Sequence, residues 1–198
     1  MKITRKKGIL LLFLLLALAG MIATGLHKRI YRKANFILLE RGIRTPREVS
    51  VEVFEPLPFS ETTAAGLLLV DEEGMTRSLP KVAGEQTAFI NKWATWCAPC
   101  LAEMPSIDKL YEAAGDSVAF VMISMDADFE KARAFKARKG FAFPIYHLAG
   151  EEPEFLKTRS IPATFLVPPD RDTLYRFEGM REYDTPAFLE FLREMNNR

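Results

Sequence analysis

Residues 118–125 read V-A-F-V-M-I-S-M, an apolar run interrupted only by Ser124. A strand with one wet face alternates polar and apolar residues; this one has no side to give to water and predicts a strand covered on both faces. Such a strand forces a layered fold, with a sheet in the middle and other elements packed above and below it. Upstream, residues 87–94 (T-A-F-I-N-K-W-A) read as a second buried strand, and 99–112 follow as a helix with Ile107, Leu110 and Tyr111 at helical spacing. Downstream, 128–139 is a charged helix carrying Phe129, Ala132 and Phe135 along one side. Residues 143–147 read as a short strand and 152–159 as a short helix; 163–167 is a strand entered through Pro162, with 173–178 its antiparallel partner. Asp184 is placed to cap a final helix whose apolar side includes Phe188, Phe191 and Leu192. Before all of these, 67–70 and 75–79 form a hairpin around D-E-E-G, where Gly74 suits the turn. The order predicts an α/β fold: a central mixed β-sheet with helices on both faces.

The amino terminus belongs to another environment. Residues 8–26 (G-I-L-L-L-F-L-L-L-A-L-A-G-M-I-A-T-G-L) carry no charge, and Lys2, Arg5, Lys6 and Lys7 precede them. A hydrocarbon core of ~30 Å takes about 20 apolar residues of helix, so this stretch is just long enough to span. Ala17-Leu18-Ala19 also fits the small-residue site of a cleaved signal peptide, but the apolar character continues to Leu26 and basic residues follow. The expectation is therefore an uncleaved, single-pass signal anchor. Lys28, Arg29, Arg32, Lys33 and Arg41 nearly balance the charges before the span, so the positive-inside count does not orient it. Ile30, Phe36, Ile37 and Leu38, interleaved among them, would suit a headgroup-level amphipathic helix. The division read from the chain is a basic terminus at 1–7, an anchor at 8–26, a basic juxtamembrane segment and connector at 27–59, and the main domain at 60–198. Pro46, Pro56 and Pro58 break the connector around a strand-like 49–54. A net charge of +1 on 198 residues gives no footprint for nucleic acid, and none is expected as a partner.

The chain has two cysteines, Cys97 and Cys100, in N-K-W-A-T-W-C-A-P-C-L-A-E-M-P. Two cannot make the disulfide framework of a small secreted domain. A C-x-x-C pair can be half a zinc site, an incidental pair or a redox centre. A structural zinc takes four ligands, and the available histidines are His27, beside the apolar span, and His147, so no metal is expected. Cys97 falls where strand gives way to helix, and the unpaired N–H groups and dipole of a helix N-terminus favour an anion. A thiolate there has a lowered pKa and attacks more readily near neutral pH. Pro99 fits the first helical turn, where a missing N–H costs nothing. Cys100 lies one turn further in.

W-C-A-P-C preceded by W-A-T, and followed at a distance by S-I-P-A-T-F-L-V, resembles the thioredoxin superfamily. The longer string W-A-T-W-C-A-P-C-L-A-E-M-P is similar to its TlpA/ResA-like branch of membrane-anchored or exported bacterial thiol–disulfide oxidoreductases. The likeness covers roughly residues 60–198. It implies a thioredoxin-like fold with Cys97 as attacking thiol, Cys100 as resolving thiol, and a cis Ile161–Pro162 bond facing them. Pro162 would otherwise be an ordinary trans proline at a strand start. Ile161 would then offer its backbone to a substrate chain, and Trp96 would form the rim of the site.

Two positions leave the pattern. Thioredoxins carry a buried aspartate six residues before the first cysteine, where this chain has Asn91, which cannot take up a proton at physiological pH. Glu103, at i+3 from Cys100 and on its side of the helix, can move protons in its place, and the branch resemblance points at the same glutamate. Its plainer reading is a first-turn glutamate complementing the helix dipole. The branch more often has an aromatic residue at position 92. Lys92 takes the strand face opposite Asn91 and Trp93, and its ammonium must reach solvent or an acidic partner.

The function expected is thiol–disulfide exchange, without a bound cofactor, between the Cys97–Cys100 pair and protein disulfide substrates, with a redox partner that restores the dithiol. The resemblance implies a reductant on the extracytoplasmic side of a bacterial cytoplasmic membrane, acting in cytochrome c biogenesis or on other exported thiols. The alternatives are a thiol peroxidase, a thioredoxin-like binding or assembly module with a structural disulfide, and a metal-handling protein.

Overall fold

The both-faces-covered strand lies in the middle of an eight-stranded sheet in a computed structural model that describes residues 47–48 and 57–197. The apolar span at 8–26, its basic flanks and the strand-like 49–54 lie outside those residues. In chain order the elements are β1 (Arg47–Glu48), β2 (Leu57–Pro58), α1 (Glu61–Ala65), β3 (Leu68–Val70), β4 (Thr76–Ser78), α2 (Leu79–Ala83), β5 (Thr87–Trp93), α3 (Ala98–Ala114), β6 (Val118–Ser124), α4 (Phe129–Lys139), β7 (Ile145–Leu148), β8 (Ala163–Val167), β9 (Thr173–Glu178), β10 (Arg181–Glu182) and α5 (Pro186–Asn196). The main sheet runs β2-β9-β8-β5-β6-β7-β3-β4. Strands β5, β6 and β7 are mutually parallel, and the pairings β5–β8, β8–β9, β2–β9, β3–β7 and β3–β4 are antiparallel, so the sheet is mixed. In the main sheet, Leu57 of β2 lies opposite Leu174 of β9. A separate parallel pair joins β1 to β10.

Every residue of β5 and β6 is buried. On one face, Phe89, Trp93, Phe120 and Met122 meet Ile107 and Leu110 of α3, Ala132 and Phe135 of α4, and Phe188 and Leu192 of α5. On the other, Ile90, Val121, Ile123 and Phe165 meet Ala64, Leu79 and Leu156. Two parallel crossovers, β5–α3–β6 and β6–α4–β7, put both helices on one side of the sheet, as a fixed handedness of crossover requires.

The expected elements recur with shifted edges, and three expectations need correction. Residues 152–159 do not form a helix beyond the single 3₁₀ turn Glu154–Leu156. The Leu156 carbonyl is taken by the Lys92 ammonium at 2.8 Å. Asp184 does not cap α5; Thr185 does, its hydroxyl accepting from the Phe188 N–H at 3.2 Å, while Asp184 pairs with Lys109 at 2.9 Å. Leu79 opens α2 instead of closing the hairpin strand. The short helices α1 and α2, five residues each, escape a reading based on periodicity because a single turn shows no period. The hairpin itself is present, with Val70 opposite Thr76 and Gly74 at φ 82°, a conformation that a side chain would strain. Among the described residues no helix is long and apolar enough to cross a membrane.

Candidate active site

Strand β5 delivers the cysteines. It ends at Trp93, the Ala94 carbonyl accepts the Cys97 N–H at 3.1 Å, and Cys97 becomes the N-cap of α3. Its sulfur accepts the Cys100 N–H at 3.3 Å, so one atom both caps the helix and takes part in the disulfide. Cys97 and Cys100 are joined as a disulfide with Cα atoms 5.3 Å apart. Cys97 is 5% exposed and Cys100 not at all; the first cysteine is the more open, though less so than the sequence suggests. Trp96 beside it is 69% exposed, whereas Trp93 is fully buried against Phe135.

The turn carrying Trp96 is fixed by a residue that the motif does not reveal. Asp126, buried just beyond β6, accepts the Thr95 N–H at 2.9 Å and the Thr95 hydroxyl at 2.6 Å, and also holds Ser124 at 3.0 Å. Asp126 therefore ties the active-site turn to the neighbouring strand. From the opposite direction, the loop before β8 brings a cis Ile161–Pro162 bond to the pair, and the Ile161 carbonyl oxygen lies 3.7 Å from Cys97 Sγ. The Pro162 carbonyl is held by the Gly179 N–H at 2.8 Å.

Glu103 is fully buried, one turn beyond Cys100 in α3. Asn91 Nδ2 donates to its Oε1 at 2.8 Å, and the Arg181 backbone N–H donates to its Oε2 at 3.1 Å. Both bonds favour the carboxylate, yet burial outweighs them and pushes the pKa from its ordinary 4.5 up to about 8. Asn91 Nδ2 also donates to Thr164 Oγ1 at 2.9 Å, and that hydroxyl lies 2.6 Å from the Tyr183 hydroxyl. Burial first, and the neighbouring Glu103 second, hold the Tyr183 phenol well above its ordinary range, so it is neutral. Position 91, which holds an acid in thioredoxins, here holds the amide that orients one. Thr164, Tyr183 and Arg181 carried no mark in the sequence, since their place in the network comes from register: Asn91 faces Thr164 across β5 and β8.

Lys92 finds the acidic partner it needs. Its side chain is 3% exposed, forms an ion pair with Glu152, and donates to Leu156 O at 2.8 Å and to Thr158 Oγ1 at 3.2 Å. Among the described residues no three His, Cys, Asp or Glu side chains gather as a metal would require. The arrangement can open and close one disulfide, with a buried carboxyl near neutrality one helical turn away.

Sheet order and the placement of the cysteine pair make this a thioredoxin-like protein. A family model described as Redoxin matches residues 54–169. The chain is 30% identical over 121 residues to the thiol–disulfide oxidoreductase ResA of Bacillus thuringiensis strain Al Hakam, covering 59% of this chain and 68% of that one. It is 34% identical over 102 residues to ResA of Oceanobacillus iheyensis, covering 46% of this chain and about half, 53%, of that relative. Among solved structures it is similar to a secreted thiol–disulfide isomerase from Corynebacterium glutamicum, with a TM-score of 0.54 at 20% identity over 78% of this chain and 99% of the other. The chain belongs to the Redoxin family and, within it, to the ResA-like thiol–disulfide oxidoreductases.

The raised Glu103 pKa links stability to pH. The folded protein keeps a proton that the unfolded chain has released, so the stabilising effect is complete below about pH 4.5 and is lost as pH rises through about 8. Glu103→Gln, which cannot ionise, should flatten that fall by about one proton, or ~1.4 kcal/mol per pH unit, across this window. Urea unfolding at several pH values tests this; equal slopes for wild type and variant would contradict a buried, raised carboxyl.

Proposed function

We propose that this chain is a membrane-anchored reductant of disulfides in exported proteins, working through the Cys97–Cys100 dithiol. The observation that carries the reading is the Cys97 sulfur in the N-cap of α3, accepting the Cys100 N–H, where a thiolate is favoured. The Cys97 thiolate attacks one sulfur of a substrate disulfide and the other sulfur leaves as a thiolate. Cys100 then gives its proton to the Glu103 carboxylate and attacks Cys97 Sγ. The Cys97–Cys100 bond forms as the mixed disulfide breaks, and the substrate departs with two thiols after taking up two protons. Two electrons have passed to the substrate, and a partner dithiol must return them.

Glu103 suits this proton transfer because a carboxyl with a pKa of about 8 exchanges protons readily near neutrality. The substrate chain docks at Ile161 and Trp96, which border Cys97. The apolar 8–26 stretch supports an anchor in a bacterial cytoplasmic membrane, and the family likeness supports a domain on its extracytoplasmic face with cytochrome c apoproteins or other exported proteins as substrates. The near-complete burial of both cysteines favours a second reading, a structural disulfide in a tethered binding module.

The reduction potential separates these readings. A reductant should show a value near thioredoxin's ~−270 mV, whereas one near the ~−120 mV of the most oxidising members of the fold would contradict the direction proposed. A pair that resists dithiothreitol and leaves insulin intact would establish the structural module instead. For topology, a membrane-impermeant maleimide applied to intact, reductant-treated cells should label Cys97. Protection there would put the domain on the cytoplasmic side.

A further inference from the structure

Lys92 breaks the pattern of the ResA-like branch and is the buried lysine of the active-site strand. Its ammonium forms an ion pair with Glu152 and donates to Leu156 O and Thr158 Oγ1, all in the segment that leads to Ile161. Thr158 passes the restraint on, donating from the same hydroxyl to Ser160 O at 3.0 Å. The backbone of Lys92 meanwhile pairs with Ala163, two residues beyond Ile161. One residue therefore holds the chain on both sides of the Ile161–Pro162 turn: by main chain after it, by side chain before it. The held segment ends 3.7 Å from Cys97 Sγ. A polypeptide bringing its disulfide to that sulfur must lie against this lip, while a small disulfide needs access to the sulfur alone.

We infer that Lys92 is a positioning residue that sets the lip at residues 157–161 for protein substrates, a role resting on the exchange activity proposed above. An apolar side chain at position 92 would leave the Leu156 carbonyl and Thr158 hydroxyl without their donor, and the segment would relax away from the ladder register. The cysteines sit on the other end of the strand's turn, held by Asp126 and the helix cap, and do not depend on this contact.

Lys92→Met, close in length and uncharged, tests the assignment in the purified protein. The value of kcat/KM for insulin reduction should fall about tenfold, mainly through KM. Reduction of a small aromatic disulfide (dithiobis-nitrobenzoate) and the Cys97–Cys100 potential should stay unchanged, and amide exchange at 157–161 should quicken. Thr158→Val, a milder loss in the same chain of contacts, should move the same readouts in the same direction and serves if Lys92→Met does not fold. Unchanged insulin kinetics in a folded variant, or equal loss toward both disulfides, would overturn the positioning role. A wild-type protein that reduced neither disulfide would overturn the exchange activity on which that role rests.

Discussion

The site depends on one strand being wholly internal. β5 is hydrogen-bonded to β6 on one side and β8 on the other, and all of its residues are buried. A strand so enclosed cannot slip, because a one-residue shift would exchange its two faces. Its fixed register sends Asn91 toward Glu103 and Thr164, sends Lys92 toward residues 152–158, and stops the chain where Cys97 can cap α3. Two parts of the site are thus set by the adjacent positions Asn91 and Lys92, and a third by where the strand ends.

Burial then does chemical work on polar groups it would ordinarily exclude. A lone buried carboxylate is expensive, and the chain meets that with two donors that hold Glu103 without neutralising it. Desolvation outweighs both donors and the nearby Arg181 charge, and the group titrates near neutrality. Lys92 is treated in the opposite way: a carboxylate and two neutral acceptors surround its ammonium, and the charge is matched. The same strand therefore carries an amide that leaves its acid poised and a cation that is tied down.

Much of this is legible in the sequence. The apolar run at 118–125 required two-sided cover, and the C-x-x-C at a strand–helix junction, with its flanking residues and the distant S-I-P-A-T-F-L-V, carried the resemblance that implied a redox pair. Glu103 could be found because it shares a helix with Cys100 and because Asn91 left the usual acid missing. The partners of these groups were hidden for a physical reason. Thr164, Tyr183, Arg181, Asp126 and Glu152 are distant in sequence and reach the site only through strand register and loop closure. The short helix expected at 152–159 failed for a related cause, since local propensity does not foresee Lys92 taking the Leu156 carbonyl. Asp184 lost the cap of α5 to Thr185 by one position, a margin that sequence patterns do not resolve.

The central claim is that Cys97 is the attacking sulfur and Cys100 the one that resolves. Trapping tests it directly, with Cys100→Ala and Cys97→Ala each reduced, mixed with a disulfide-bonded protein and run on a non-reducing gel. Cys100→Ala should accumulate a covalent adduct that reductant releases, because its attack proceeds and its escape does not, while Cys97→Ala should give none. No adduct from Cys100→Ala, or an equal yield from Cys97→Ala, would contradict the account.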